Sequence, residues 1–193
     1  MQLRDSAEHT FLFVDLVGYT ALADAEGDDR AAEVALALCR GVRDILPAFE
    51  AEEVKSLGDG IMLRCSDPAA AVRLGLRIVA TLEADPAIPA VRVGIHSGPA
   101  VGRDGDWYGR AVNVASRLCS VAPGGEVLVS ETTREAAGRL RKVSFGERRL
   151  HWLRNVTEPI PTFSARERDC AVGHRIRDLI SRDVPKARME VAA

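Results

Sequence analysis

Missing from this chain of 193 residues is any apolar run approaching the roughly 20 residues that a membrane-spanning helix needs. A charge excess is missing too. Lys and Arg number 26 against 28 Asp and Glu, and a formal net charge of -2 gives no reason to expect a nucleic-acid or membrane surface. The N-terminal residues, with Asp5 and Glu8, lack the charged-then-apolar pattern of a secretory signal. Cysteine is sparse, and Cys39, Cys65, Cys119 and Cys170 show no paired metal-binding spacing. Three of them fall in predicted helices or strands, where a free thiol behaves as a small apolar group. These absences lead to the expectation of a reduced, cytoplasmic protein with no nucleic-acid or membrane partner. No internal repeat or low-complexity tract is present.

What is present is enough apolar sequence, 47% of the residues, to bury a substantial core. Residues 10–16 are apolar on both alternating faces, which predicts a central strand ending near Asp15. Gly18, Tyr19 and Thr20 then turn the chain into an Ala- and Leu-rich region. Val34, Leu38, Val42 and Ile45 recur at helical spacing until Pro47. Residues 53–63 predict a hairpin with Gly58-Asp59-Gly60 at its tip, where two glycines allow a tight bend and close approach of a ligand. Asp67-Pro68 supplies an N-cap and a first-turn proline for a helix whose buried face is Ala71, Leu74, Ile78 and Leu82. Val91, Val93 and Ile95 alternate as a strand, followed by a loop with Gly102, Gly105 and Gly109. A helix over 112–121, a strand over 126–130, a helix over 132–140 and two weaker strands at 141–146 and 160–165 complete the pattern.

This order predicts an α+β fold with a ferredoxin-like βαββαβ core plus an appended helix and strands. The sheet is expected to be mainly antiparallel with helices on one face. One domain is expected over 1–165. A charged tail follows over 166–193, in which Ile176, Leu179 and Ile180 allow one short helix.

Three clusters carry candidate chemistry. The topology sets the end of the first strand beside the hairpin tip, so Asp15 and Asp59 are expected to face each other. Two close carboxylates repel unless they share a proton or a cation, and an all-oxygen site suits Mg²⁺ or Mn²⁺. Taken singly, Asp59 reads better as a turn residue and Asp15 as a helix cap; the two together, each at a strand end beside glycine, point to metal binding. The backbone N–H groups of residues 17–20 open a helix and suit a phosphate, although an ordinary strand-to-helix turn has the same look. In the third cluster, Asn113 and Arg117 are four apart and share a helix face within an apolar segment. Such a pair calls for an acceptor-rich partner, either a structural carboxylate or a phosphate.

Four motifs, Phe-Val-Asp-Leu-Val-Gly-Tyr-Thr (13–20), Lys-Ser-Leu-Gly-Asp-Gly (55–60), Arg-Val-Gly-Ile-His-Ser-Gly (92–98) and Asp-Trp-Tyr-Gly-Arg-Ala-Val-Asn-Val-Ala-Ser-Arg (106–117), stand in one order. In that order and spacing the chain resembles the catalytic domain of class III nucleotidyl cyclases, the adenylate and guanylate cyclase family, over roughly residues 8–165. The resemblance implies the class III cyclase fold and two Mg²⁺ or Mn²⁺ ions held by Asp15, Asp59 and the carbonyl of Leu16. It implies that Lys55 and Asp106 read the base, that Asn113 orients the ribose and that Arg117 stabilises the transition state. Arg154 in Leu-Arg-Asn-Val takes the place of a late basic residue that contacts the triphosphate. Gly18, Tyr19 and Thr20 are expected at the substrate phosphates. The family builds its sites between two head-to-tail protomers, which implies a homodimer here.

Donor and acceptor polarity adds a substrate preference. Lys55 can only donate and ionised Asp106 can only accept, which matches the ring nitrogen and amino group of adenine and mismatches guanine. ATP is therefore the expected substrate and cyclic AMP the product. The alternatives are the same chemistry on GTP or a pyrimidine nucleotide, and a nucleotide-binding regulatory module without turnover. A diguanylate cyclase would need a Gly-Gly-(Asp/Glu)-(Asp/Glu)-Phe hairpin, which Gly58-Asp59-Gly60 is not. His96 is expected to be structural, and Trp107 and Tyr108 to be packing or dimer-contact groups rather than to stack on substrate.

Overall fold

A computed structural model describes residues 8–168. Strand β1 (Glu8–Leu16) lies inside an eight-stranded sheet. It is followed by α1 (Tyr19–Glu26) and α2 (Asp28–Ile45), then by the hairpin strands β2 (Ala51–Ser56) and β3 (Gly60–Cys65). Helix α3 (Pro68–Leu82) and strand β4 (Val91–Pro99) complete the βαββαβ core. The order β2-β3-β1-β4 is antiparallel throughout, and β7 (Val127–Ser130) extends it as a parallel neighbour of β4. The ferredoxin-like core and the class III cyclase architecture expected from the sequence are the ones found.

Local sequence accounts for these elements. In α2 the residues Ala31, Val34, Ala35, Leu38, Cys39 and Val42 fall on one stripe and are buried. Asp67 caps α3 by accepting the Ala69 N–H at 2.8 Å, and Pro68 sits where no amide partner is needed. Alternation in β1 sends Leu12, Val14 and Leu16 into a core shared with α2 and α3, and Phe11 and Phe13 to the other face. Each such apolar side chain removed from water contributes roughly 1.5–3 kcal/mol before conformational entropy is counted.

That second face corrects the expectation of helices on one side only. Helix α4 (Arg110–Val121) packs there, with Ala111, Val112, Ala115 and Cys119 against Phe11, Phe13 and Met62. The cause is that β1 and β3 are apolar on both faces, so each face needs a cover. Gly94 of β4 makes the contact possible. A Cβ at Gly94 would lie 2.0 Å from the amide nitrogen of Cys119 and 2.6 Å from its Cα.

Three further differences concern the second half. The glycine-containing segment expected as a loop holds a small hairpin, β5 (Val101–Arg103) with β6 (Asp106–Tyr108), turned by Asp104 and Gly105 at positive φ. After α5 (Glu131–Ala137) come three strands rather than two, β8 (Val143–Phe145), β9 (Arg149–His151) and β10 (Ile160–Glu167). The strand not expected is β9, whose three residues pair only with β10 and leave little periodicity to detect. Strand β10 also runs past Ala165, and the short helix expected around Ile176 lies outside the described residues. No helix among the described residues is long and apolar enough to cross a membrane.

Candidate active site

The β1–β3 ladder places Asp15 opposite Gly60, and the Leu16 N–H donates to the Asp59 carbonyl at 3.2 Å. The two aspartates thus sit at adjoining strand ends, as the sequence predicted. Glycine is needed at Gly60, because a Cβ there would meet the Val14 carbonyl at 2.7 Å and Asp15 Oδ1 at 3.3 Å. Both aspartates are half-buried. Burial pushes the Asp15 carboxyl above its ordinary range, Arg92 pulls it down, and the charge of Asp59 pushes it up again.

Arg92 is the residue that sequence reasoning missed. Its Nε and Nη2 both donate to Asp15 Oδ2, at 2.9 and 2.5 Å, while Nη1 donates to the Ser120 carbonyl at the end of α4. The local signal is only that Arg92 is the polar member of an alternating strand; its register partner on β1, Asp15, comes from a distant segment.

On the same face of the sheet, Lys55 Nζ donates to Asp106 Oδ2 at 2.5 Å. The backbone N–H of Trp107 donates to the other oxygen, Oδ1, at 2.8 Å. Lys55 first, then the Trp107 amide, holds the Asp106 carboxyl below the usual carboxylate range. Trp107 itself is braced by His9, with ring centroids 4.3 Å apart, and by the Arg64 guanidinium 4.9 Å above its ring. It packs, as expected, whereas Tyr108 is exposed.

Asn113 and Arg117 project from the solvent face of α4 and are both exposed. Arg117 has no salt bridge among the described residues, so the structural carboxylate considered from sequence is not found there. The Val17 amide is engaged with the Ala90 carbonyl at 2.9 Å, which removes it from the expected phosphate-binding set. Gly18, in a left-handed conformation with φ 78, turns the chain into α1 directly ahead of Tyr19 and Thr20. Arg154 is exposed in a turn after β9, next to Leu153, which packs with Val114 and Leu118 of α4.

His96 is buried on β4, and its Nδ1 pairs with Ser130 Oγ at 2.8 Å. Burial and the nearby charge of Arg110 depress its pKa to about 4, so it is a neutral structural histidine at ordinary pH. Cys39, Cys65 and Cys119 are buried free thiols, and burial pushes those of Cys65 and Cys119 up to about 12.

The arrangement is one of hard oxygen donors beside an arginine, a fixed donor–acceptor pair, and an exposed amide–guanidinium pair. Among the described residues no three His, Cys, Asp or Glu side chains converge as a metal cage. Two carboxylates alone suit a cation that takes its remaining ligands from water and phosphate oxygens.

Comparisons with known proteins bear on this geometry. The sequence profile of the adenylate and guanylate cyclase catalytic domain matches residues 1–149. A pH-sensitive adenylate cyclase of Mycobacterium tuberculosis is 40% identical over 151 residues, covering 75% of this chain and 38% of that protein. An adenylate cyclase of Streptomyces griseus is 37% identical over 117 residues, covering 61% of this chain and 29% of that protein. This chain thus spans well under half the length of these two relatives. The crystal structure of an adenylyl cyclase from P. aeruginosa superposes with a TM-score of 0.72 at 20% identity, covering 86% of this chain and 97% of that one.

Proposed function

Because the chain belongs to the adenylate and guanylate cyclase catalytic-domain family, we propose that it converts ATP to 3′,5′-cyclic AMP and pyrophosphate. The ribose 3′-oxygen bonds to the α-phosphorus as the bond from that phosphorus to the β-phosphate bridge breaks. Asp15, Asp59 and the Leu16 carbonyl form an oxygen donor set that fits Mg²⁺ or Mn²⁺, two ions per site. When bound, these ions supply a lowered pKa for the 3′-hydroxyl and neutralisation of the departing phosphates.

The chain's own residues divide the remaining work. Lys55 and Asp106 hold the adenine ring nitrogen and amino group; Asn113 orients the ribose. Arg117 stabilises the charge that grows on the phosphoryl oxygens. Amides of Gly18, Tyr19 and Thr20 receive the polyphosphate at the start of α1, with Arg154 as a further cation. Arg92, anchored between Asp15 and the Ser120 carbonyl, adds positive charge beside the phosphates and fixes the rotamer of Asp15.

The observation that carries the choice of ATP is the ion pair between Lys55 and Asp106. It presents one donor and one acceptor already in place. Guanine would meet them donor to donor and acceptor to acceptor, a mismatch that such sites reject strongly. The exposure of Asn113 and Arg117 on the outer face of α4 supports a head-to-tail homodimer, in which each protomer offers this pair to its partner's aspartates.

The test is to incubate the purified chain with each of the four nucleoside triphosphates and Mn²⁺ or Mg²⁺, and to identify cyclic products by mass spectrometry. Cyclic AMP is expected as the dominant product, with none from Asp59→Ala. A dominant product from another nucleotide, or activity surviving in Asp59→Ala, overturns the reading.

A further inference from the structure

A second concentration of charge lies at the β8 end of the sheet, far from the aspartates. A cavity of about 760 Å³ is bounded by the end of α5, the connection to β8 and the end of β10. Five cations surround it, Arg134, Arg139, Arg141, Lys142 and Arg168, against one carboxylate, Glu135. In a chain of formal net charge -2 this is a local feature, not a general basicity. None of the five is in a salt bridge among the described residues, whereas Arg43, Arg64, Arg92 and Arg148 each are.

The cavity is organised as well as charged. The Arg134 guanidinium is held 4.2 Å above the Phe163 ring and 5.6 Å from the Phe145 ring, which limits its rotamers before any ligand arrives. The Arg168 N–H donates to the Lys142 carbonyl at 2.8 Å, tying the two basic segments together. Leu140 and Val143 are buried beneath, giving the cations a floor of low polarizability against which their field is less screened than on open surface. Like charges gathered this way repel one another, and an anion with several negative oxygens relieves that repulsion at several points at once.

We propose that this cleft binds a phosphate-rich anion, one presenting two or more phosphate groups. The two sources of that chemistry are a free polyphosphate-bearing small molecule and the headgroups of an anionic lipid. The site is separate from the nucleotide site: four strand spacings divide β8 from β1, about 19 Å across the sheet.

The full chain would be titrated with inorganic tripolyphosphate by calorimetry without divalent metal, and in parallel sedimented with phosphatidylserine or phosphatidylcholine vesicles. Expected is saturable binding to tripolyphosphate, to phosphatidylserine vesicles, or to both, weakening with added salt. The exposed double variant Arg141→Glu/Lys142→Glu should weaken it at least tenfold. Arg141→Gln/Lys142→Gln should weaken it less, and Arg117→Ala should leave it unchanged. Saturable binding to tripolyphosphate alone identifies a free anion; binding to the anionic vesicles alone identifies a lipid surface. No saturable binding to either probe, binding that survives the charge reversal, or binding lost in Arg117→Ala overturns the proposal. Binding at this cleft is the part lost on the Arg141/Lys142 charge reversal and binding at the nucleotide site the part lost in Arg117→Ala, so failure of this proposal and failure of the cyclase reading are distinguishable.

Discussion

Arg92 and Asp15 are register partners on adjacent strands, and two guanidinium nitrogens converge on a single carboxylate oxygen. Both side chains are about three-quarters shielded from solvent, at 26% exposure each. A pair this sheltered is coupled, because removing either partner leaves the other desolvated and unmatched. Arg92→Leu should lower metal-free stability, whereas Asp15→Asn should cost less, because burial already holds the Asp15 carboxyl above its ordinary range. The double variant should lose less than their sum, with a coupling of about 1–2 kcal/mol. Chemical denaturation in the presence of a chelator measures the cycle, and strict additivity would remove Arg92 as the partner of Asp15.

The proposed base selection depends on polarity at two positions, Lys55 and Asp106. In Asp106 both oxygens are engaged, one by Lys55 and one by the Trp107 amide, so its acceptor character is fixed. Lys55→Glu combined with Asp106→Gly should lower kcat/KM for ATP by about a hundredfold or more, and shift the ATP-to-GTP ratio toward GTP. Competition assays with both nucleotides provide the ratio. An unchanged ratio alongside lower overall activity would mean that the two residues support the fold rather than the choice of base.

Much of this molecule was legible in its letters, for identifiable reasons. The long periodic stretches of α2 and α3 and the doubly apolar β1 carry strong signals, and their topology follows from them. Asp15 and Asp59 were brought together by the topology, which sets the end of β1 beside the hairpin tip at Gly58-Asp59-Gly60. Arg92 was missed because its partner is a cross-strand neighbour from a distant segment, and pairing register is not written in local sequence. The position of α4 was missed for a related reason. Helical periodicity shows that Ala111, Ala115 and Leu118 are inward, but not which face of the sheet receives them.

Gly94 is where that placement is decided. Backbone atoms of Cys119 lie 2.0 and 2.6 Å from where a Cβ on Gly94 would stand, so no side-chain rotation can relieve the clash. Gly94→Ala should therefore push α4 off β4, costing about 3 kcal/mol or more by overpacking. It should also displace Asn113 and Arg117 with the helix. Thermal unfolding and turnover should fall together. A variant that unfolds at the wild-type temperature would mean that α4 does not sit against this strand.

The proposed shared-site homodimer has a quantitative signature. If one protomer supplies Asp15 and its partner supplies Arg117, then Asp15→Ala and Arg117→Ala are each inactive alone. A heterodimer of the two retains one intact site out of two. Random re-pairing makes half the dimers mixed, so an equimolar mixture should recover about a quarter of wild-type activity. Mixing after mild dissociation, followed by a cyclic AMP assay, tests this. No recovery, with mixed dimers demonstrated by mass spectrometry, would place both residues in a site made by one chain.

The buried histidine predicts how stability responds to acid. His96 pairs with Ser130, which joins Thr133, Ser97 and Thr10 in a chain of hydroxyl contacts of 2.8–3.0 Å. Arg110, Glu8 and Glu135 line the hollow beside it. Its folded-state pKa of about 4 lies below the ordinary 6.5, so between those values the unfolded chain takes up a proton that the folded chain refuses. Stability contributed by this group is therefore intact above pH 6.5 and is lost as pH falls toward 4, by about 3 kcal/mol in all. His96→Gln retains hydrogen-bonding capacity without a titrating ring, so its stability should vary less with pH across that window. Denaturation midpoints measured at intervals from pH 7 to pH 4 for both proteins would show it as converging curves. Parallel curves would mean that the ring is protonated in the folded state as readily as in the unfolded one.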